Sequence, residues 1–286
     1  MEALGDPHRR AVANVGRWVG FAAAFVMLAV GVAAVVGAIF IVDHATTGPT
    51  HPNTTNSLEP NAPVLAHPSA AAPLQISGRG YDISYPQCGR TPPHDGSFAI
   101  VGVNGGAPLT TNSCLPAQSD WARTKAAHAV YMNTAYSGVG DPVAYGKRLV
   151  DDAVAREHAA GAGSTSMWWL DVETTNVWRG TQRENATVLD SMAARIQQLG
   201  ARVGIYSTSQ QWTEITGDWA PRLPVWKATG SGTADSALAA CSDQFAGSQV
   251  AIVQWVQRIG GRKFDHDLIC PAWIHRAGEL LQPGSG

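Results

Sequence analysis

Asp171 and Glu173 close the run Met167-Trp168-Trp169-Leu170-Asp171-Val172-Glu173, in which large apolar residues give way to two acids one residue apart. In a strand the side chains alternate, so both acids share one face while Leu170 and Val172 take the other. Carboxylates at the rim of an apolar core cost free energy, which marks them as candidates for chemistry. Asp82 lies in Gly80-Tyr81-Asp82-Ile83-Ser84, and Asp265 and Asp267 lie in Phe264-Asp265-His266-Asp267-Leu268-Ile269. Acids on two sides of a cleft suit glycoside hydrolysis. One protonates the leaving oxygen, and another attacks or stabilises the oxocarbenium-like centre or activates water. The D-H-D run has no second His beside it, so no metal and no other cofactor is expected. No G-x-S-x-G elbow, G-x-G-x-x-G or Walker pattern is present.

These acids need strands to hold them. Strand-like runs recur at residues 80–84, 98–104, 129–134, 166–173, 203–207, 224–228, 250–256 and 264–269, several of them continuously apolar, as in a parallel sheet covered on both faces. Helices fall between them. Asp141-Pro142 is an N-cap and N1 pair opening a helix that ends at Gly161. Thr181-Gln182-Arg183-Glu184 is a capping box, followed by Leu189, Met192, Ile196 and Leu199 at helical spacing, with Gly200 at C′. Shorter helices are expected at 210–215, 235–240 and 273–281. The alternation predicts an α/β fold, a (β/α)8 TIM-type barrel, with a doubly wound open sheet as the alternative. In a barrel the site lies at the C-terminal strand ends. The first and eighth strands are neighbours there, so Asp82 and the last acids face the fourth-strand pair across the mouth.

The chain has 286 residues, a net charge of −2 and 15% charged residues, which gives no electrostatic footprint for nucleic acid. Residues 19–42 form an uncharged apolar run long enough to span a bilayer. Arg9, Arg10 and Arg17 precede it, and no Lys or Arg follows until Arg79, so the positive-inside rule leaves residues 1–18 in the cytoplasm and the rest outside. The run is longer than a cleavable signal and lacks its cleavage site, so an uncleaved anchor in the cell membrane is expected. Residues 43–74, rich in Pro, Thr and Ala, read as a stalk, and 75–286 as the globular domain. Cys88, Cys114, Cys241 and Cys270 all lie in the exported part and imply two disulfides. Of three connectivities, Cys88–Cys114 and Cys241–Cys270 join segments close in sequence.

The order G-x-D-I-S, L-D-V-E, G-I-Y-S, V-Q-W and a final D-L resembles the glycoside hydrolase family 25 lysozymes. It is still more similar to the glycoside-hydrolase-like domains of exported actinobacterial proteins, the DUF1906 group. The resemblance covers residues 78–270 and implies a (β/α)8 barrel acting on a peptidoglycan β-1,4 bond. Carried over, it makes Glu173 the general acid, Asp171 its partner, Asp82 the first-strand acid and Asp267 the last-strand acid. Tyr206 and Trp255 match positions that shape the sugar cleft, with Trp169 and Asn133 as further candidate glycan contacts. The chain departs from the lysozymes at Cys88, at Asn133 and at Ile269, which stands in place of an Asn. The implied partner is peptidoglycan or another wall glycan, with a non-catalytic glycan-binding module as the alternative.

Overall fold

A computed structural model describes residues 76–259 and 261–284. The expected cytoplasmic N-terminus, membrane span and stalk lie outside these residues. Among the described residues no helix is long and apolar enough to cross a membrane.

The elements follow in order. They are β1 (Arg79–Ile83), β2 (Phe98–Gly102), α1 (Leu115–Arg123), β3 (Ala127–Asn133), α2 (Pro142–Ala159), β4 (Met167–Asp171), α3 (Gln182–Gln198), β5 (Arg202–Ser207), α4 (Ser209–Thr216) and β6 (Val225–Ser231). Then come α5 (Ala234–Ala239), β7 (Gln244–Phe245), β8 (Ser248–Ile259), β9 (Arg262–Ile269), α6 (Ala277–Leu280) and β10 (Gln282–Pro283). Strands β1 to β6 pair in sequence and in parallel, β6 pairs with β8 in parallel, and β9 closes the ring between β8 and β1. The result is a closed eight-stranded α/β barrel.

Its last quarter corrects the expected (β/α)8 repeat. β9 runs antiparallel to both β8 and β1, and a hairpin replaces the helix between β8 and β9. Gly260-Gly261 between two alternating runs is the sequence signature of such a turn. The connection from β1 to β2 likewise holds a 3-10 turn, Tyr85–Gln87, instead of an α-helix.

Alternation builds two apolar layers. Trp168, Leu170 and Val172 face outward and pack with Leu149 and Val150 of α2 and Leu189, Met192 and Ile196 of α3. Each such side chain contributes about 1.5–3 kcal/mol on full burial. Met167 and Trp169 face inward, with Phe98, Ile100, Trp226 and Ile252, and Leu280 and Leu281 close the bottom of that inner cluster. Trp169 fits because its register partner is Gly204, where a Cβ would overlap the indole.

The caps form as their residue types dictate. The Ala144 amide donates to Asp141 Oδ2 at 2.7 Å, and Thr181 and Glu184 satisfy each other's amides in a full capping box. α1 is a helix the sequence pattern did not announce, since Cys114 at its N-cap offers no side-chain bond. That cysteine is bonded to Cys88, and Cys241 to Cys270, with Cα atoms 5.6 and 5.5 Å apart. Loops of this size stabilise by about 3.5 kcal/mol each in the chain-entropy picture.

Candidate active site

The C-terminal ends of the parallel strands open into a cavity of about 480 Å3, lined by four carboxylates, Asp82, Asp171, Glu173 and Asp265. Among the described residues no Lys, Arg or His lines it. Asp82, the last residue but one of β1, is 5% exposed; its Oδ2 accepts from Gln254 Nε2 of β8 at 2.8 Å. Gln254 Oε1 in turn accepts from the Tyr206 hydroxyl of β5 at 2.8 Å. Across the cavity, Asp171 ends β4 and is 4% exposed. Asn133 at the end of β3 donates its amide to Asp171 Oδ2, while Asp171 Oδ1 is buried without a partner. Glu173 stands two residues beyond, half-buried on the same wall, and the Thr175 hydroxyl donates to its Oε2 at 3.5 Å.

Strand β4 is shorter than the run that suggested it and stops at Asp171. The chain still continues extended, because the Val172 amide donates to the Tyr206 carbonyl at 2.9 Å. That bond keeps the alternation going for two more residues, and both acids line the cavity as their spacing requires.

The last-strand acids are placed differently from the expectation. Asp265 is level with Asp82 in the β1–β9 register, and Asp267 is level with Gly80, two residues deeper and roughly 7 Å down the barrel. Asp267 is fully buried below the cavity and accepts from Trp226 Nε1 at 2.9 Å. The reversed direction of β9 is the cause: it brings the first acid of the pair to the mouth, where a parallel strand would bring the second.

Two expected glycan contacts also lie elsewhere. Trp255 follows the inward Gln254 and therefore faces outward, stacked on His266 with ring centroids 5.1 Å apart. Trp169 sits one inward position below Asp171, beneath the cavity and edge-on to Trp226. Tyr206 and Asn133 do line the cavity. The aromatic floor comes from Trp226, which packs against Tyr206 at 4.5 Å, with Tyr131 beside it. Trp226, Tyr131 and Gln254 were not among the expected contacts, and Asp265 was named only as a strand-end acid beside Asp267. The available signal was alternation, which needs the strand direction and inner face to be known first.

Burial dominates the electrostatics. It holds Asp82 well above the usual carboxylate range, aided by the charges of Asp267 and Asp265. It does the same to Asp171, where the Glu173 charge adds and the Asn133 bond opposes. Glu173 is raised by burial, with Gln211 and Thr175 pulling it back. Asp265 is pushed up to about 6 by burial and by the Glu173 charge, against the pull of Lys263. Carboxyl groups that keep their protons toward neutral pH, in a cleft with others nearby, are equipped for proton donation. Among the described residues no group of three His, Cys, Asp or Glu side chains is arranged to hold a metal ion.

A family model described as lysozyme-like protein 1 matches residues 118–267, more than half of the chain. A probable GH family 25 lysozyme of Dictyostelium discoideum is 32% identical over 68 residues, 23% of this chain and 32% of that protein. Lysozyme-like protein 1 of Caenorhabditis elegans is 36% identical over 52 residues, 18% of this chain and 17% of that one. The matched segments thus span a third or less of these curated relatives. Among solved structures, a muramidase from Acremonium alcalophilum superposes with a TM-score of 0.52 at 14% identity, over 70% of this chain and 98% of that one. The Clostridium perfringens spore cortex lytic enzyme SleM gives 0.52 at 16% identity, over 70% and 69%. At these identities the structural likeness speaks for the barrel.

Proposed function

The chain belongs to the lysozyme-like family matched over residues 118–267, within the glycoside hydrolase family 25 superfamily, and from that premise we propose that it hydrolyses a β-1,4 glycosidic bond of cell-wall peptidoglycan. The observation that carries the reading is the cavity with carboxylates on two facing walls, Asp171 and Glu173 on one and Asp82 and Asp265 on the other. Glu173 is the proton donor. It is the more exposed acid of its pair, and its raised pKa keeps the proton available for the leaving oxygen. Asp171 sits behind it with one free oxygen, placed to accept from the sugar's N–H or to stabilise positive charge at the reacting carbon. Asp82 and Asp265 form the opposite electrostatic wall, with Asp265 in the rim position first assigned to Asp267. Tyr206 and the Trp226 ring offer the floor on which a sugar ring rests.

The uncharged run at residues 19–42 and the arginines before it support anchorage in the cell membrane with the barrel on the outer side. The motifs that resemble the DUF1906 group support an envelope setting. The test is release of reducing ends from purified peptidoglycan by the full-length chain and by Glu173→Gln. We expect release by the former and loss of two to four orders of magnitude in the latter. Saturable binding without release by the unaltered chain would replace the hydrolase with a glycan-binding module.

A further inference from the structure

Beside the acid-lined cavity lies a second pocket, of about 460 Å3, whose lining is opposite in charge: Arg90, Arg258, Arg262 and Lys263, with Gly89 and Gly261. Two segments build it, and both also line the cavity. Arg90 follows the Tyr85–Gln87 turn, whose residues stand on the cavity rim and which Cys88 ties to Cys114. The other three residues lie on the β8–β9 hairpin, directly above Val256 and Asp265. Lys263 is two residues from Asp265, so the basic pocket begins roughly 7 Å from the acidic wall along the same strand.

The cluster is short of counter-charge, with the Asp265 carboxylate acting on it through Lys263. Arg258 and Lys263 are register partners across the antiparallel pair. Like charges directly opposite each other destabilise a ladder, and folds avoid the arrangement unless something compensates it. Among the described residues none of the four cations joins an ion pair. Arg258 donates only to the Gly261 carbonyl, at 3.2 Å. A carboxylate or phosphate entering the pocket would relieve the repulsion and meet guanidinium groups suited to two-pronged binding.

The geometry points to a binding site for an anionic group, a carboxylate or a phosphate, carried on the same polymer that the acidic cavity holds. This rests on the reading that the cavity takes a glycan. A neutral sugar occupies the cavity, where the carboxylates repel anions, and the charged substituent lies over the hairpin. The chain therefore selects decorated glycan over a bare one.

The test measures binding of three polymers to the full-length chain carrying Glu173→Gln, which keeps the ligands intact. They are a neutral N-acetylglucosamine oligomer, a peptidoglycan glycan strand with free carboxylates, and a glycan strand of the same length that bears phosphate groups instead. At least one anionic polymer should bind roughly tenfold tighter than the neutral oligomer, with a margin that shrinks as salt rises. Arg258→Gln with Lys263→Gln should erase the margin and leave affinity for the neutral oligomer unchanged, without lowering the melting temperature, since the substitutions remove a repulsive pair. Lys147→Gln with Arg183→Gln, which removes the same charge from the exposed faces of α2 and α3, should keep it. The anionic polymer that shows the margin identifies the group. A margin that survives the hairpin substitutions, or no margin at all, overturns the proposal. Absence of turnover in the unaltered chain with the margin intact would instead count against the hydrolase reading alone.

Discussion

Asp171–Glu173 and Asp265–Asp267 are built alike, two acids flanking one residue in extended chain of the barrel wall, and the barrel uses them in opposite order. At the end of β4 and in its extended continuation both acids line the cavity, and the second, Glu173, is the outer one. On β9 the first acid lines the cavity, and the second is sealed beneath it against Trp226. Spacing puts the members of each pair on one face, but only the sense of the strand says which member reaches solvent. A buried acid below the mouth can act on the reaction solely through its neighbours, whereas a rim acid can touch substrate.

The largest test of that contrast is turnover. Glu173→Gln should cost two to four orders of magnitude, and Asp265→Asn about a hundredfold, in reducing-end release. Asp267→Asn should cost less than tenfold. Equal losses for Asp265→Asn and Asp267→Asn would break the comparison.

The next effect is on stability. Asp265 titrates near 3.8 when unfolded and about 6 in the fold. Folding therefore favours its protonated form. The contribution is full below about pH 3.8 and is lost as pH rises through about 6, a change of about 2–3 kcal/mol. The buried Asp82, Asp171 and Asp267 act with the same sign. The melting temperature should fall as pH rises from about 4 to 6, and Asp265→Asn should make that fall shallower. A melting temperature that rises across this window would contradict the placement of the acids.

Asp267→Asn removes one of the like charges that raise Asp82. The Asp82 carboxyl should then titrate at lower pH, which carboxyl NMR can follow. An unmoved Asp82 would mean that the two acids are not coupled. The smallest effect separates the two aromatics. Trp226→Phe should weaken binding of a neutral oligomer about fivefold, the order of one aromatic contact, while Trp255→Phe should leave it within about twofold because that ring faces away from the cavity. A reversed result would return Trp255 to the sugar cleft.

Much of this barrel could be read from the chain. All eight barrel strands lie where the apolar runs place them. Asp141 and Thr181 cap the helices they announce, and the cysteines pair as their spacing suggests. These features depend on neighbours a few residues away or on closing a short loop. The position of an acid at the cavity was legible where it rests on alternation alone, as at Asp82, Asp171 and Glu173. Asp267, Trp255 and Trp169 lie away from the cavity against expectation, because their position depends on which face a strand turns inward or how deep a residue sits along it.

The sequence by itself determined which residues alternate, where helices begin and that acids would share faces at strand ends, because backbone geometry and capping chemistry are local. Only the tertiary structure decided that β9 runs against its neighbours, that Asp265 rather than Asp267 meets the cavity, and that four cations gather beside four carboxylates. Strand direction and facing are properties of the partner across the ladder, and no single strand carries them.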